Sequence, residues 1–176
     1  MRRPLLFLLL LAGCGKPPAP PPAPLRFDLD PFAGWSAFGE GSSVEHDVER
    51  DGLRLRRRTT LTRKSDALIT LAVESRMKLS GGERATSATE ELRPAPASCP
   101  LCSRGRDAHA AGTWTIETLK VGDRELACSV YASPGKTCAG EPAPATTAWH
   151  SADVPGRLVK LKTPTTVWTL VSFDRK

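Results

Sequence analysis

Leu53-Arg54-Leu55-Arg56-Arg57-Arg58-Thr59-Thr60-Leu61-Thr62, entered through Asp51-Gly52, constrains the fold of this chain more than any other stretch. In an extended strand, alternate side chains point to opposite faces of the sheet. Leu53, Leu55, Arg57, Thr59 and Leu61 then share one face, and Arg54, Arg56, Arg58, Thr60 and Thr62 share the other. A helix would scatter both sets around its circumference. Asp-Gly between two alternating segments is a strong hairpin signal, so Val44–Glu49 is read as the partner strand. The arginines on one face suggest an anionic ligand, but a solvated outer face is the better reading, because antiparallel sheets commonly carry charge there.

The same pattern continues along the chain. Residues 67–79 read as a long strand, with Ser75, Met77 and Leu79 alternating with Glu74, Arg76 and Lys78. Residues 83–92 are polar and small and fit either an edge strand or a short helix. Residues 94–112, rich in Pro and Gly, read as an irregular connection. Thr113–Leu119, leading to Val121-Gly122-Asp123-Arg124, and Glu125–Ala132 form a second hairpin, in which Gly122-Asp123 can supply positive φ. Residues 146–151, 157–162 and 165–173 supply three more strands. Between the first two of these, Pro155-Gly156 suits the centre of a type II turn, with Gly at positive φ. The fold expected is mainly β: a single curved antiparallel sheet or half-barrel of about eight strands with few short helices. Residues 31–176 make up this β-rich globular domain, a common size for one domain with one core.

The beginning of the chain is different. Arg2 and Arg3 precede an apolar run from Leu5 to Ala12, which is far short of the roughly 20 residues needed to cross a bilayer as a helix. Leu11-Ala12-Gly13-Cys14 closes the run. These four residues resemble the lipobox of bacterial lipoproteins. The resemblance implies that residues 1–13 are a signal peptide that is removed, that Cys14 is lipidated, and that the protein is held at the cell envelope outside the cytoplasm. Each buried methylene contributes about 0.8 kcal/mol, so the two or more acyl chains that the family carries anchor firmly. By the same analogy, Gly15, standing where a retention Asp is used, favours the periplasmic side of the outer membrane. Residues 14–30 form the lipidated Cys and a Pro-rich spacer. Lys16–Pro24 within it prefers polyproline II at about 3.1 Å per residue.

Trp149-His150-Ser151-Ala152-Asp153-Val154-Pro155-Gly156, followed by Arg157–Leu161, resembles a segment of uncharacterised exported bacterial proteins. So do Pro31–Val44 and the Val-Gly-Asp hairpin with its Cys strand. The turn segment is also distantly similar to LolA-like lipoprotein carriers, which implies an open half-barrel with an apolar concave face and no particular activity.

The remaining cysteines are Cys99, Cys102, Cys128 and Cys138. An even number in an oxidising compartment favours disulfides, with Cys99–Cys102 and Cys128–Cys138 one plausible pairing of the three possible. A redox-active Cys99-Pro-Leu-Cys102 is the second reading, although no thioredoxin-like context precedes it. A thiolate metal site is the third, with His109 or His150 as a substitute ligand, but one Cys-x-x-Cys is only half of a zinc pattern. His46, His109 and His150 fall in no catalytic motif, and no nucleophile elbow or phosphate loop is present in the sequence. Trp35, Trp114, Trp149 and Trp168 suit a core better than a ligand groove.

The formal charge of +6 falls to +4 without Arg2 and Arg3 and is spread along the chain, which is not a nucleic-acid signature. The sequence therefore reads as a non-enzymatic, lipid-anchored binding or envelope-structural lipoprotein with no cofactor. Its expected partners are the membrane through the anchor, a hydrophobic ligand or an envelope protein, and no nucleic acid. The alternative is an envelope thiol oxidoreductase using Cys99 and Cys102.

Overall fold

A computed structural model describes residues 29–96, 112–136 and 141–176. The expected signal peptide and most of the spacer lie outside these residues, as do Cys14, Cys99, Cys102 and Cys138. One short helix, α1 (Pro31–Ser36), is followed by nine strands: β1 (Ser43–Arg50), β2 (Leu53–Lys64), β3 (Ile69–Leu79), β4 (Gly82–Leu92), β5 (Thr113–Val121), β6 (Arg124–Ala132), β7 (Thr147–His150), β8 (Leu158–Lys162) and β9 (Thr166–Asp174). They form one open antiparallel sheet in the order β4-β3-β2-β1-β9-β8-β7-β6-β5. This is the mainly β, curved-sheet architecture expected from the alternation. The ninth strand is the ambiguous stretch around residues 83–92, which pairs with β3 along its whole length as an edge strand.

The sheet consists of two up-and-down meanders, β1–β4 and β5–β9, joined by the pairing of β1 with β9. It is strongly curled. In a flat sheet, β6 and β9 are three strand spacings apart, about 14 Å. Here the Arg124 guanidinium of β6 lies 4.8 Å from the Phe173 ring centroid of β9. The core consequently draws on both meanders: Val44, Leu61, Ile69 and Leu71 join Val121, Leu126, Cys128, Val159 and Leu170.

The two faces of β2 are as the alternation implies. Arg57, Thr59 and Leu61 become progressively more buried on the inner face, while Leu53 sits 58% exposed at the strand tip. On the outer face Glu45, Asp47 and Glu49 of β1 stand opposite Arg58, Arg56 and Arg54. Arg56 holds Asp47 with two hydrogen bonds, of 2.8 and 3.1 Å, and Arg54 holds Glu49 at 3.2 Å. Sliding β1 against β2 by one residue would break these pairs and turn Val44 and Val48 outward, so charge and apolar pattern fix the same register.

The hairpin turns follow the glycines. Asp51 and Gly52 take φ of 50° and 79°, both positive as a type I′ loop demands. At the second hairpin Gly122 has φ 57° and Asp123 is not in the positive region, the type II′ pattern.

α1 has a signal that periodicity does not carry. Asp30 caps it, its Oδ1 accepting from Phe32 N at 3.1 Å, and Pro31 starts it with φ already set for a helix. Lys64 Nζ donates to Ser36 O and Phe38 O, each at 2.9 Å, which ties the far end of the helix to β2. The β7–β8 turn folds beneath α1. Arg157 N donates to Val154 O at 2.7 Å around Pro155-Gly156, with Gly156 at φ 71°, a type II turn. Gly156 N then donates to Gly34 O at 3.2 Å.

A Cβ on Gly156 would meet Trp35 Nε1 at 2.7 Å, and Trp35 is buried against the core. Gly156→Ala therefore adds positive-φ strain to overpacking and should cost about 2–4 kcal/mol. Gly52→Ala, where a Cβ meets nothing within 4 Å, should cost less. Urea denaturation of both variants tests the difference; equal losses would show that the Trp35 contact carries no weight.

Candidate binding cleft

The curl of the sheet leaves one inner-face hollow incompletely filled. It is a cleft of about 330 Å³, roofed by α1 and the β7–β8 turn and floored by β1, β2, β3 and β9. Trp35, Val44, Leu71, Leu92, Leu158 and Trp168 supply most of its apolar wall. Its polar lining comes from inner-face positions of the sheet: His46 of β1, Arg57 and Thr59 of β2, and Glu90 of β4. His150 and Arg157 enter from the two ends of the β7–β8 turn.

These polar groups form a connected arrangement. His46 is opposite Arg57 across β1 and β2, and opposite Leu170 across β1 and β9. It is 4% exposed, and its ring packs edge-on to Trp168 with centroids 5.8 Å apart. His46 Nε2 lies 3.0 Å from Leu158 O. A carbonyl oxygen only accepts, so Nε2 carries the proton and Nδ1 is an acceptor in the neutral ring. Burial holds His46 below the ordinary imidazole range, Arg57 adds to that, and the bond to Leu158 opposes it. Arg57 stands 5.4 Å from the Trp168 ring centroid, within cation–π range, and donates from Nη2 to Glu90 Oε1 at 2.6 Å. The Glu90 side chain is 43% exposed, so this pair lies at the rim rather than in the interior.

The outer face carries a second and larger hollow, of about 740 Å³, lined by Glu45, Asp47, Glu49, Arg54, Arg56 and Arg76 among others and therefore mostly charged. Arg54 and Arg56 are committed to carboxylates of β1 there. The solvated-face reading of the arginine cluster fits this arrangement, and Arg57, the member of the run that faces inward, belongs to the cleft instead.

Cys128, considered for a bridge to Cys138, is a free thiol. It is 1% exposed on β6 inside the core, with Sγ donating to Leu126 O at 3.5 Å. Burial pushes the thiol up to about 11, so at neutral pH it is a small apolar group rather than a nucleophile. No group of three or more metal-ligating side chains occurs among the described residues.

The four tryptophans divide. Trp35 is core and also touches the cleft, and Trp168 lines it. Trp149 is linked to Glu117 by a 2.6 Å hydrogen bond from Nε1 and lies under Lys160. Trp114 packs on Tyr131 with centroids 5.0 Å apart. His46 and Glu90 were not singled out from sequence as site residues. The available signal for His46 was its place between Val44 and Val48, a polar side chain at the parity of an apolar face.

The chain matches no known family pattern, and none of the curated proteins compared with it matches.

Burial gives the two cleft histidines a common pH signature. His150 is lowered from 6.5 to about 4, by desolvation first and by Arg157 second. Between those values the unfolded chain binds more protons than the folded one, so stability is full above about pH 6.5 and falls as pH drops towards 4. His150 alone accounts for up to about 3 kcal/mol of that loss. Urea midpoints measured from pH 7.5 to 4.5 should decline, and His150→Gln should flatten part of the slope. A variant that keeps the full wild-type slope would remove His150 as its source.

Proposed function

We propose that this protein is a lipid-anchored binding protein of the bacterial cell envelope that holds a small hydrophobic ligand in its inner-face cleft. The observation that carries the binding half is the cleft itself, a mostly apolar hollow with a few convergent polar groups, which is how small-molecule sites are commonly built. Its volume sits at the lower end of the roughly 300–1,000 Å³ range of ligand pockets, which suits one small molecule better than a bulky multi-chain lipid.

The anchoring half rests on Leu11-Ala12-Gly13-Cys14 and the proline-rich stretch after it. Leu29 lines the cleft, so a tether arriving through residues 14–28 joins the fold beside the cleft mouth. The alternative, an envelope thiol oxidoreductase, rests on Cys99 and Cys102, which lie outside the described residues.

Protein recovered from the membranes of bacteria expressing the full chain tests both halves. Intact mass should show a chain starting at Cys14 with added acyl groups. Native mass spectrometry should show a further small apolar molecule released on unfolding. Full-length, unacylated chain in the soluble cell fraction would refute the anchor, and a ligand-free spectrum after incubation with hydrophobic extracts would refute the binding role.

A further inference from the structure

We infer that the cleft selects a monoanionic amphiphile, with its carboxylate on Arg57 and its apolar body against Trp168, Leu71 and Trp35. This rests on the cleft being the ligand site and names the chemistry of what it takes.

The argument starts from donors and acceptors. Arg57 carries five N–H donors in a planar fork. Among the described residues it gives one hydrogen bond, to Glu90. The acceptors around the cleft are more fully committed. Asp30 caps α1 through Oδ1 and accepts from Ala95 N through Oδ2 at 3.0 Å. Leu158 O is taken by His46 Nε2. A ligand head entering here meets the remaining N–H groups of Arg57, and a guanidinium fork matches a carboxylate in shape as well as charge.

Position supports the same conclusion. Packing against the Trp168 ring restrains the Arg57 guanidinium, so little rotamer entropy remains to be lost when an anion binds. The Arg57 side chain is 25% exposed, wet enough to be reached and dry enough for a charge-assisted bond to be strong. Glu90 reaches it from edge strand β4 and is itself partly exposed, so exchanging Glu90 for a ligand carboxylate releases a carboxylate into solvent. Glu90 thus acts as a resident competitor for the head-group position. Arg157 also lines the cleft, and the two arginines balance the charges of Asp30 and Glu90 there, so displacing Glu90 leaves the lining one positive charge in excess, the complement of a monoanion.

The test is titration calorimetry of the full chain with decanoate, 1-decanol and decyltrimethylammonium as probes. Decanoate should bind about tenfold or more tighter than decanol, a charge-assisted bond being worth at least that ratio, and the cation should bind weakest. Arg57→Gln should abolish the preference for decanoate over decanol. Glu90→Gln should move decanoate affinity the other way, tightening it severalfold by removing the competitor and so raising the ratio of decanoate to decanol affinity. Equal affinities of the wild type for decanoate and decanol, or weaker decanoate binding by Glu90→Gln, would overturn the head-group assignment and leave the cleft as an apolar site. Binding of none of the three probes would overturn the assignment together with the ligand role of the cleft.

Discussion

The pairing of β1 with β9 is the constraint on which the rest of this architecture depends. It joins residues as far apart as Ser43 and Asp174 and turns two independent meanders into one sheet. A register shift between Glu45 and His46 interrupts the ladder there and adds local twist. Hydrogen bonds from Gly39 N to Lys176 O and from Lys176 N to Ser42 Oγ, each 2.9 Å, lock the end of the seam. Because the seam curls, apolar side chains of β3 and β6 belong to one cluster, and the inner face becomes a hollow instead of a plane. His46 sits in this seam, which is why the same pairing that closes the fold also assembles the polar side of the cleft.

The inner face is not purely hydrophobic. Arg57 and His46 occupy inner positions in the middle of a sheet whose apolar supply is limited. Their polarity is tolerated there because each group is partnered: Arg57, at the rim, by Glu90 and the Trp168 ring, and the neutral His46 by Leu158 O. The outer face shows the opposite economy, its arginines neutralised locally by the neighbouring strand and left in water.

Much of the fold was legible because β-structure writes itself in period 2. The alternation of β2 and β3, the Asp51-Gly52 turn and the Pro155-Gly156 turn all appear close to where the residues place them. Two elements were harder for physical reasons. Edge strand β4 has almost no buried face, so its sequence lacks the apolar alternation that marks a strand. Helix α1 spans only Pro31–Ser36, too short to display a period, and is held by its Asp30 cap and by Lys64. The cleft was legible only in part. Arg57 could be assigned to an inner face, but Glu90, four residues out of register with it, reaches it diagonally across β3, and no linear pattern encodes that meeting.

The order of strands in space is also an order of events in time. Most connections within the two meanders are a few residues long, whereas the seam must wait for β9, the last of the described strands to be made. Closing that largest loop carries the greatest entropic cost and, by contact-order reasoning, sets the folding rate. Until then β1 and β9 present two complementary, unpaired edges, and the nascent half-sheets are the species that most need a chaperone's shelter.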